Sequence, residues 1–509
     1  MGQTIRIPKV LSPLPEKYAD SERRFQGIPS LAVTDNNTIW ATWYTGGVTE
    51  DRDNYVVVCR SRDGGKTWTK PLFAIDDEAV PRMYDPSLFY APDGKLHLYW
   101  AVNPGRYGNR ADLWTMTAEN PNSDSPKWSE PQFVCDGIMM NKPIVDSKNR
   151  WILPVSVWTC KYSFLEDRSP QGPGGAWFVV TEDQGKTYKK LGRGYTPLDK
   201  SLFDEHSIME LRDGRFWLVN RTQVGIGEFF SSDGGKTWTD FRESPIKHTS
   251  SRFFLRRLQS GNLLLVKNGP IDQNVGRSRM MAFLSKDDGK SWQGGLMLDE
   301  RNQVSYPDGD QTPDGTIYII YDWERLGAKE ILCAKITEED ILAGKTVNPK
   351  SRLKILVNKA TASSVRFVPN PNKNGKPFRS GPQATFEPVN KDEGKVSLFE
   401  SGCKLFGNRN YTLLETPDYL KGKHFIFSNR MEKTVAKCQK DGMLYILTPT
   451  TARNKHSMTA LLLKSGFELV AKPEILLFGE ITGNIVTVYQ KNVTAGETIE
   501  IGMWGVMVF

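Results

Sequence analysis

Residues 231–238 read SSDGGKTW, and nearly the same eight letters stand at 61–68 (SRDGGKTW) and 285–292 (SKDDGKSW). A looser copy lies at 181–188 (TEDQGKTY), and 123–128 (SDSPKW) reads as a worn one. The residue types are those of a tight turn. Ser and Asp side chains satisfy turn amides, Gly takes the positive φ, and Trp anchors the turn between strands. The motif is therefore read as a structural staple and not as a catalytic element.

The acidic residues of the copies are Asp63, Asp124, Asp183, Asp233 and Asp287, in steps of 61, 59, 50 and 54 residues. Recurrence near this period points to a repeat architecture. A second series of turn signals interleaves with the first: DNN (35–37), PDG (92–94), SKN (147–149), RDG (212–214), QSG (259–261) and PDG (313–315). Each sits between apolar or alternating runs such as TIWATWY and KLHLYWAV. Two series out of phase mean two hairpins, hence four strands, per repeat. That unit is a propeller blade.

The expected chain is all-β. Residues 1–355 form a six-bladed β-propeller, with seven blades as the alternative, and 356–396 a linker or long loop whose 368–396 stretch is rich in Pro, Gly and Lys. Residues 397–509 form a small, mainly-β accessory domain with one helix at 457–466. That domain is read as a brace for the propeller, sugar binding being the other reading.

Bulk properties agree with a soluble globular chain. Its 509 residues exceed one ordinary core, and no apolar run approaches a membrane span. The net charge is +8, with Lys and Arg scattered among acids. This favours anionic ligands without the basic blocks, RNA-binding signature or zinc-ligand spacing of a nucleic-acid binder. Six cysteines (59, 135, 160, 333, 403 and 438) show no CxxC and are too sparse for a disulfide scaffold. The opening MGQTIRIPKV lacks a basic stretch followed by an apolar one. It is read as the start of a mature chain whose signal peptide has been removed, so a secreted, periplasmic or surface monomer is expected. Nothing calls for a nucleotide or redox cofactor. A structural Ca²⁺ is left open, with no ligand spacing to indicate it.

SxDxGxTW resembles the Asp-box of the sialidase superfamily, and residues from about 20 to 350 look like its propeller. The resemblance implies a site on loops at the axis: three arginines clamping a carboxylate, a Tyr nucleophile activated by Glu, and an Asp acid/base. LFDEHSIMELRDGRFWLVNRT (202–222) places Glu205 on the activating glutamate and Arg221 on a clamp arginine. VSYPDGDQTPDGTIYIIYD (304–322) places Tyr306 on the nucleophile. NVGRSRMMAFLSKDDGKSW (274–292) offers Arg277 or Arg279 as another clamp arginine, Arg279 fitting slightly better. The loop GGVTEDRDNYVVVCRS (46–61) offers Asp51 or Asp53 as the acid/base. The departure lies at RFQGIPSL (24–31), where Gly27 stands in place of the first clamp arginine.

Further candidates are His206 beside Glu205, and His248 at the head of HTSSRFFLRRL (248–258), which brings Arg252, Arg256 and Arg257. RMYDPSL (82–88) adds Arg82, Tyr84 and Asp85. Three functions fit these residues. The first is retaining hydrolysis at a terminal sialic acid or related acidic sugar, with Glu205 deprotonating Tyr306. The second is β-elimination at a uronate, where arginines neutralise the carboxylate while Tyr306, His206 or His248 moves the protons. The third is a glycan-binding propeller without catalysis. Because elimination tolerates the missing arginine, the sequence leans to it. The chain also resembles secreted bacterial lyases that remove rhamnose capping glucuronate on arabinogalactan.

Overall fold

The computed structural model of the chain describes residues 7–47, 49–50, 53–77, 82–103, 111–158, 174–362, 372–389, 395–407, 411–429, 433–451, 454, 456–478, 484–502 and 504–509. They divide into two compact units, Met1–Ser363 and Ser364–Phe509.

The first unit holds six antiparallel sheets in chain order, each of four sequential strands, the first sheet gaining a fifth from Val10–Leu11. The opening strands of the sheets are Gln26–Val33, Met83–Tyr90, Ile144–Val145, Ser201–Glu210, Phe254–Arg257 and Val304–Gln311. The second series of turn signals supplies the six links from each opening strand to the next. The Asp-boxes at 61–68, 181–188, 231–238 and 285–292 link third to fourth strands. In the sixth sheet a short helix, Glu338–Ala343, with a Thr337/Asp340 capping box takes that place.

The boxes use one hydrogen-bond scheme. Asp233 accepts from Ser231 Oγ at 2.8 Å, Thr237 N at 3.0 Å and Thr237 Oγ1 at 2.7 Å, and Gly235 N donates to Ser231 Oγ at 2.9 Å. Asp63, Asp183 and Asp287 repeat it. Gly235 has φ 92°, which a side chain would strain. Trp238 stacks on Phe178 of the preceding sheet with centroids 4.9 Å apart, so the box also fastens neighbouring sheets. The worn copy differs, because the Asp124 carboxylate pairs with Arg62 and does not hold its own turn.

The opening strands converge on a common centre. Lys142 Nζ bonds Leu31 O, Leu88 O at 2.6 Å and Asp308 Oδ2 at 2.9 Å, joining three sheets at one ammonium. Apolar clusters between adjacent sheets fill the rest, the largest around Trp40, Trp100, Trp114 and Tyr84.

The second unit contains a three-stranded sheet (Thr385–Pro388, Thr434–Lys440, Thr498–Ile501) and a larger one that includes Gly442–Thr448 and Ile485–Val493. Strand Thr385–Pro388 and the last four residues of strand Arg352–Lys359 fall within the stretch read as linker; Arg352–Lys359 completes the sixth sheet of the first unit. A helix forms at Thr459–Lys464, inside the expected 457–466. No helix among the described residues is long and apolar enough to cross a membrane.

Candidate active site

In an antiparallel four-strand sheet, the start of the first strand and the loop between second and third strands share one end. The first-to-second and third-to-fourth turns share the other. The Asp-boxes therefore lie at the end opposite Glu50, Arg82, Arg221, Arg277, Tyr306 and Arg325.

At that end the opening strands are bulged. Register slips between Gly27 and Ser30, Tyr84 and Ser87, Ser201 and His206, and Ser305 and Asp308. Each bulge holds a non-glycine residue at positive φ: Ile28 (57°), Asp85 (47°), Asp204 (41°) and Tyr306 (54°). Such bulges re-aim side chains, and the backbone strain persists only where neighbours hold it. Asp204 is held by Asn220 Nδ2 at 2.8 Å and Ser201 Oγ at 3.1 Å. Asp322 braces two bulges, accepting from Ser305 Oγ at 2.6 Å and Ile28 N at 2.8 Å.

The bulges bring three predicted residues together. Arg221 Nη1 donates to Glu205 Oε1 at 2.5 Å and to Tyr306 Oη at 2.7 Å, while Tyr306 Oη donates to Glu205 Oε1 at 2.9 Å. All three are buried. Burial pushes the Tyr306 phenol up to about 12, with Arg221 opposing and Glu205 adding to the rise. The guanidinium carbons of Arg277 and Arg325 stand 5.2 and 4.3 Å from the Tyr306 ring centroid. Arg325 also bonds Glu50 Oε1 at 2.8 Å. Glu50 Oε2 is 4.0 Å from Arg82, whose guanidinium lies 4.1 Å from the Tyr84 ring centroid. Burial opposes the charge of Glu50, but Arg325, Arg82, Arg277 and Arg221 outweigh it and hold the carboxyl below its ordinary range.

Asp85 completes the group. Burial raises its carboxyl to about 7, against the pull of Arg82 and helped by Glu205 and Glu50. Asp85 Oδ1 and Glu205 Oε2 are buried with no hydrogen-bond partner among the described residues. Buried polar atoms are rarely left so.

Several expectations need correction. Arg277 stands at Tyr306, whereas Arg279 has φ 52° beside a register slip and its carbonyl accepts from Gly269 N. Arg252 is fully buried and donates to the carbonyls of Met140, Pro29 and Tyr306 at 2.7–2.9 Å, bracing the site from beneath. His206 is tied to backbone carbonyls and not to Tyr306 or Arg221. Its Nε2 lies 2.8 Å from Trp177 O and its Nδ1 2.9 Å from Asp204 O, and burial lowers it to about 4. His248 is packed edge-on to Phe253, and burial, with Lys267 adding, lowers it to about 3. Neither histidine is placed to exchange protons with a ligand. Asp53 is exposed in a turn, and from its loop it is Glu50 that meets the arginines. Asp51 lies outside the described residues. Arg256 and Arg257 pair with Asp310 and Asp288, away from Tyr306. Sequence reading missed Glu50 and Arg325. Among the described residues, no three His, Cys, Asp or Glu side chains cluster as a metal site.

The model of the BNR repeat-like domain matches residues 37–319, more than half of the chain. The chain belongs to this family, within the sialidase superfamily of BNR-repeat propellers. This BNR-repeat propeller is 24% identical over 278 residues to a sialidase of Bacteroides fragilis, covering 52% of the chain and 42% of the relative. It is also 24% identical over 261 residues to a probable oligoxyloglucan-reducing end-specific xyloglucanase of Neosartorya fischeri, covering 45% of the chain and 30% of the relative. The matched regions thus span less than half the length of these curated relatives. Among solved structures, the intramolecular trans-sialidase of Ruminococcus gnavus in complex with oseltamivir carboxylate aligns with TM-score 0.50 and 15% identity, covering 65% of the chain and 98% of that structure. A leech intramolecular trans-sialidase aligns with TM-score 0.50 and 13% identity, covering 67% and 71%. At these identities the structures speak for the fold alone.

Proposed function

We propose that the protein is a carbohydrate-active enzyme that cleaves a glycosidic linkage at a sugar bearing a carboxylate, with Tyr306 and Glu205 as the reacting pair. The observation that carries this reading is the closed triangle of Tyr306 Oη, Glu205 Oε1 and Arg221 Nη1, with sides of 2.5–2.9 Å. Further guanidinium groups around the same phenol supply the field for an anion. The sialidase of B. fragilis supports the substrate class by its name. Such glycans are met outside the cell, so a secreted or surface protein is part of the proposal.

Retaining hydrolysis fits the geometry best. A phenol at about 12 is neutral at working pH, so an anionic carboxylate near the reacting carbon does not repel it. Glu205 takes its proton as Oη attacks the anomeric carbon. Asp85, protonated below about pH 7, gives its proton to the departing oxygen. Water then displaces the tyrosine, losing a proton to Asp85 as Tyr306 recovers its own from Glu205.

Elimination at a uronate is the second reading, and one contact favours it. Arg221 donates directly to Tyr306 Oη, which stabilises a phenolate as base and blunts it as nucleophile. With its own proton passed to Glu205, Tyr306 Oη would take the proton from the carbon next to the carboxylate. The electron pair forms the new double bond, and the leaving oxygen takes its proton from Asp85.

Chromatography of products from a sialoside and from a glucuronate-capped arabinogalactan, with ultraviolet absorbance followed throughout, separates these routes. Sugar release at flat absorbance means hydrolysis, and rising absorbance of an unsaturated uronate means elimination. No release from either substrate overturns the enzymatic reading and leaves a binding propeller.

A further inference from the structure

Gly27 occupies the first-strand position where the resemblance expects a clamp arginine, and the space above it is filled. A Cβ on Gly27 would stand 2.7 Å from Arg325 Cδ and 2.8 Å from its Cγ and Nε. These atoms lie mid-chain, so no small rotation of the guanidinium clears the way. The backbone of Gly27 is not in the left-handed region, so its conformation does not demand glycine. The side chain crossing it does.

Arg325 arrives from the loop between second and third strands of the sixth sheet and is held along its length. Nε donates to Asp322 Oδ2 at 2.8 Å, Nη1 to Glu50 Oε1 at 2.8 Å and Nη2 to Ser305 Oγ at 3.2 Å. A guanidinium carries five N–H groups. Three are used among the described residues, which leaves one on each terminal nitrogen beside the Tyr306 ring. Asp322 also holds Ser305 and Ile28, so the arginine is fixed to the two bulges that flank it. Its side chain is 12% exposed.

We infer that Arg325 binds the substrate carboxylate directly, supplying from the sixth sheet the guanidinium that position 27 lacks, and that Gly27 is there to let it pass. This rests on the acidic-sugar reading above and deepens it. The ligand class is a sugar whose carboxylate sits on the carbon that Tyr306 approaches, which is the anomeric carbon of a ketulosonic acid or the carbon bearing the labile proton of a uronate. Two free donors on a planar group suit a carboxylate and match no ammonium geometry, so lysine is not an equivalent here.

The test is calorimetric binding of N-acetylneuraminate and D-glucuronate, each against its methyl ester, by the wild type and by Arg325→Gln, Arg325→Lys, Gly27→Ala and Gly27→Ala/Arg325→Gln, with melting curves as the check on folding. The wild type is expected to prefer one free acid over its ester. Arg325→Gln and Arg325→Lys are expected to lose about 10- to 100-fold of that affinity. Gly27→Ala retains every charge of the site and should lose a similar factor by displacing Arg325, and the double variant should be no worse than Arg325→Gln. Full acid preference in Arg325→Lys and Gly27→Ala overturns this inference and leaves the acidic-sugar reading standing. A wild type that binds acid and ester alike overturns both.

Discussion

Tyr306 and Glu205, 101 residues apart in sequence and on the sixth and fourth sheets, share a 2.9 Å hydrogen bond made possible by a bulge on each strand. Because Arg221 bonds both, the three groups act as a unit. Tyr306→Phe and Glu205→Gln are each expected to lower kcat by roughly 10²- to 10⁴-fold on the glycoside the wild type cleaves. The double variant should fall little further, since members of one device are not additive. Tyr306→Phe leaves Arg221 paired with Glu205 and should cost under about 1.5 kcal/mol of stability. Steady-state kinetics beside denaturant titration measures both. Wild-type kcat in either single variant would remove the pair from the chemistry.

Asp85 gives the activity a pH limit. With its carboxyl at about 7 and its role that of proton donor, kcat should decline as pH rises through that value. Stability has the same sign. A carboxyl raised by burial holds its proton in the fold, so the stability present below its ordinary pKa near 4 is lost as pH climbs to about 7. Asp85→Asn should therefore abolish most activity yet raise the Tm at pH 8 by a few degrees, an effect of up to about 4 kcal/mol. An unchanged or lower Tm at pH 8, where the wild-type carboxylate is forced to ionise, would contradict that account.

What the sequence made legible was local. Turn chemistry announces itself in adjacent letters, so the six first turns and four Asp-boxes could be read directly. Tyr306, Glu205 and Arg221 were legible because each sits in a segment with its own turn and strand pattern. Arg325 was not, because its signal is the empty position at Gly27, in the first sheet while Arg325 is in the sixth. Arg277 and Arg279 were inseparable on alternation alone, and the register slip between Ser278 and Met280 breaks that alternation. His206 could not be rejected on alternation either, since the register slips between Ser201 and His206.

Three buried histidines make the first unit acid-sensitive. Burial lowers His97 and His206 to about 4 and His248 to about 3. A lowered histidine favours the fold above its ordinary value near 6.5, and that stability is lost as pH falls toward 4, since the unfolded chain takes the proton first. By pH 5 each contributes a loss of about 2 kcal/mol. Urea titrations at several pH values should show this slope, shallower in His97→Phe and in His248→Phe. Equal slopes in all three proteins would place the acid sensitivity elsewhere.

The centre of the propeller depends on one ion pair. Lys142 is buried among Leu31 O, Leu88 O and Asp308, and burial lowers its pKa with Asp308 opposing. Lys142→Met strands a buried Asp308 and should cost about 3–5 kcal/mol, with Lys142→Met/Asp308→Asn recovering part of it. Calorimetric melting of the three proteins checks the order. A Lys142→Met variant as stable as wild type would mean that Ser30 Oγ and Leu31 N alone satisfy Asp308.

The repeated turn should matter for stability and not for catalysis. Asp233 holds the Ser231 hydroxyl, the Lys236 and Thr237 amides and the Thr237 hydroxyl, and these hydrogen bonds keep its carboxyl below the usual range. Asp233→Ala leaves those donors to water at an exposed turn and loosens the seat of Trp238 on Phe178, for a cost of about 1–2 kcal/mol. The same change at Asp63 or Asp287 should add to it, because the turns belong to separate sheets with no shared partner. Since all of these turns stand at the strand ends opposite Tyr306, kcat per folded molecule should equal wild type in every variant. A kcat that drops in Asp233→Ala while the Tm holds would give the Asp-box a part in the chemistry that its position in the sheet denies it.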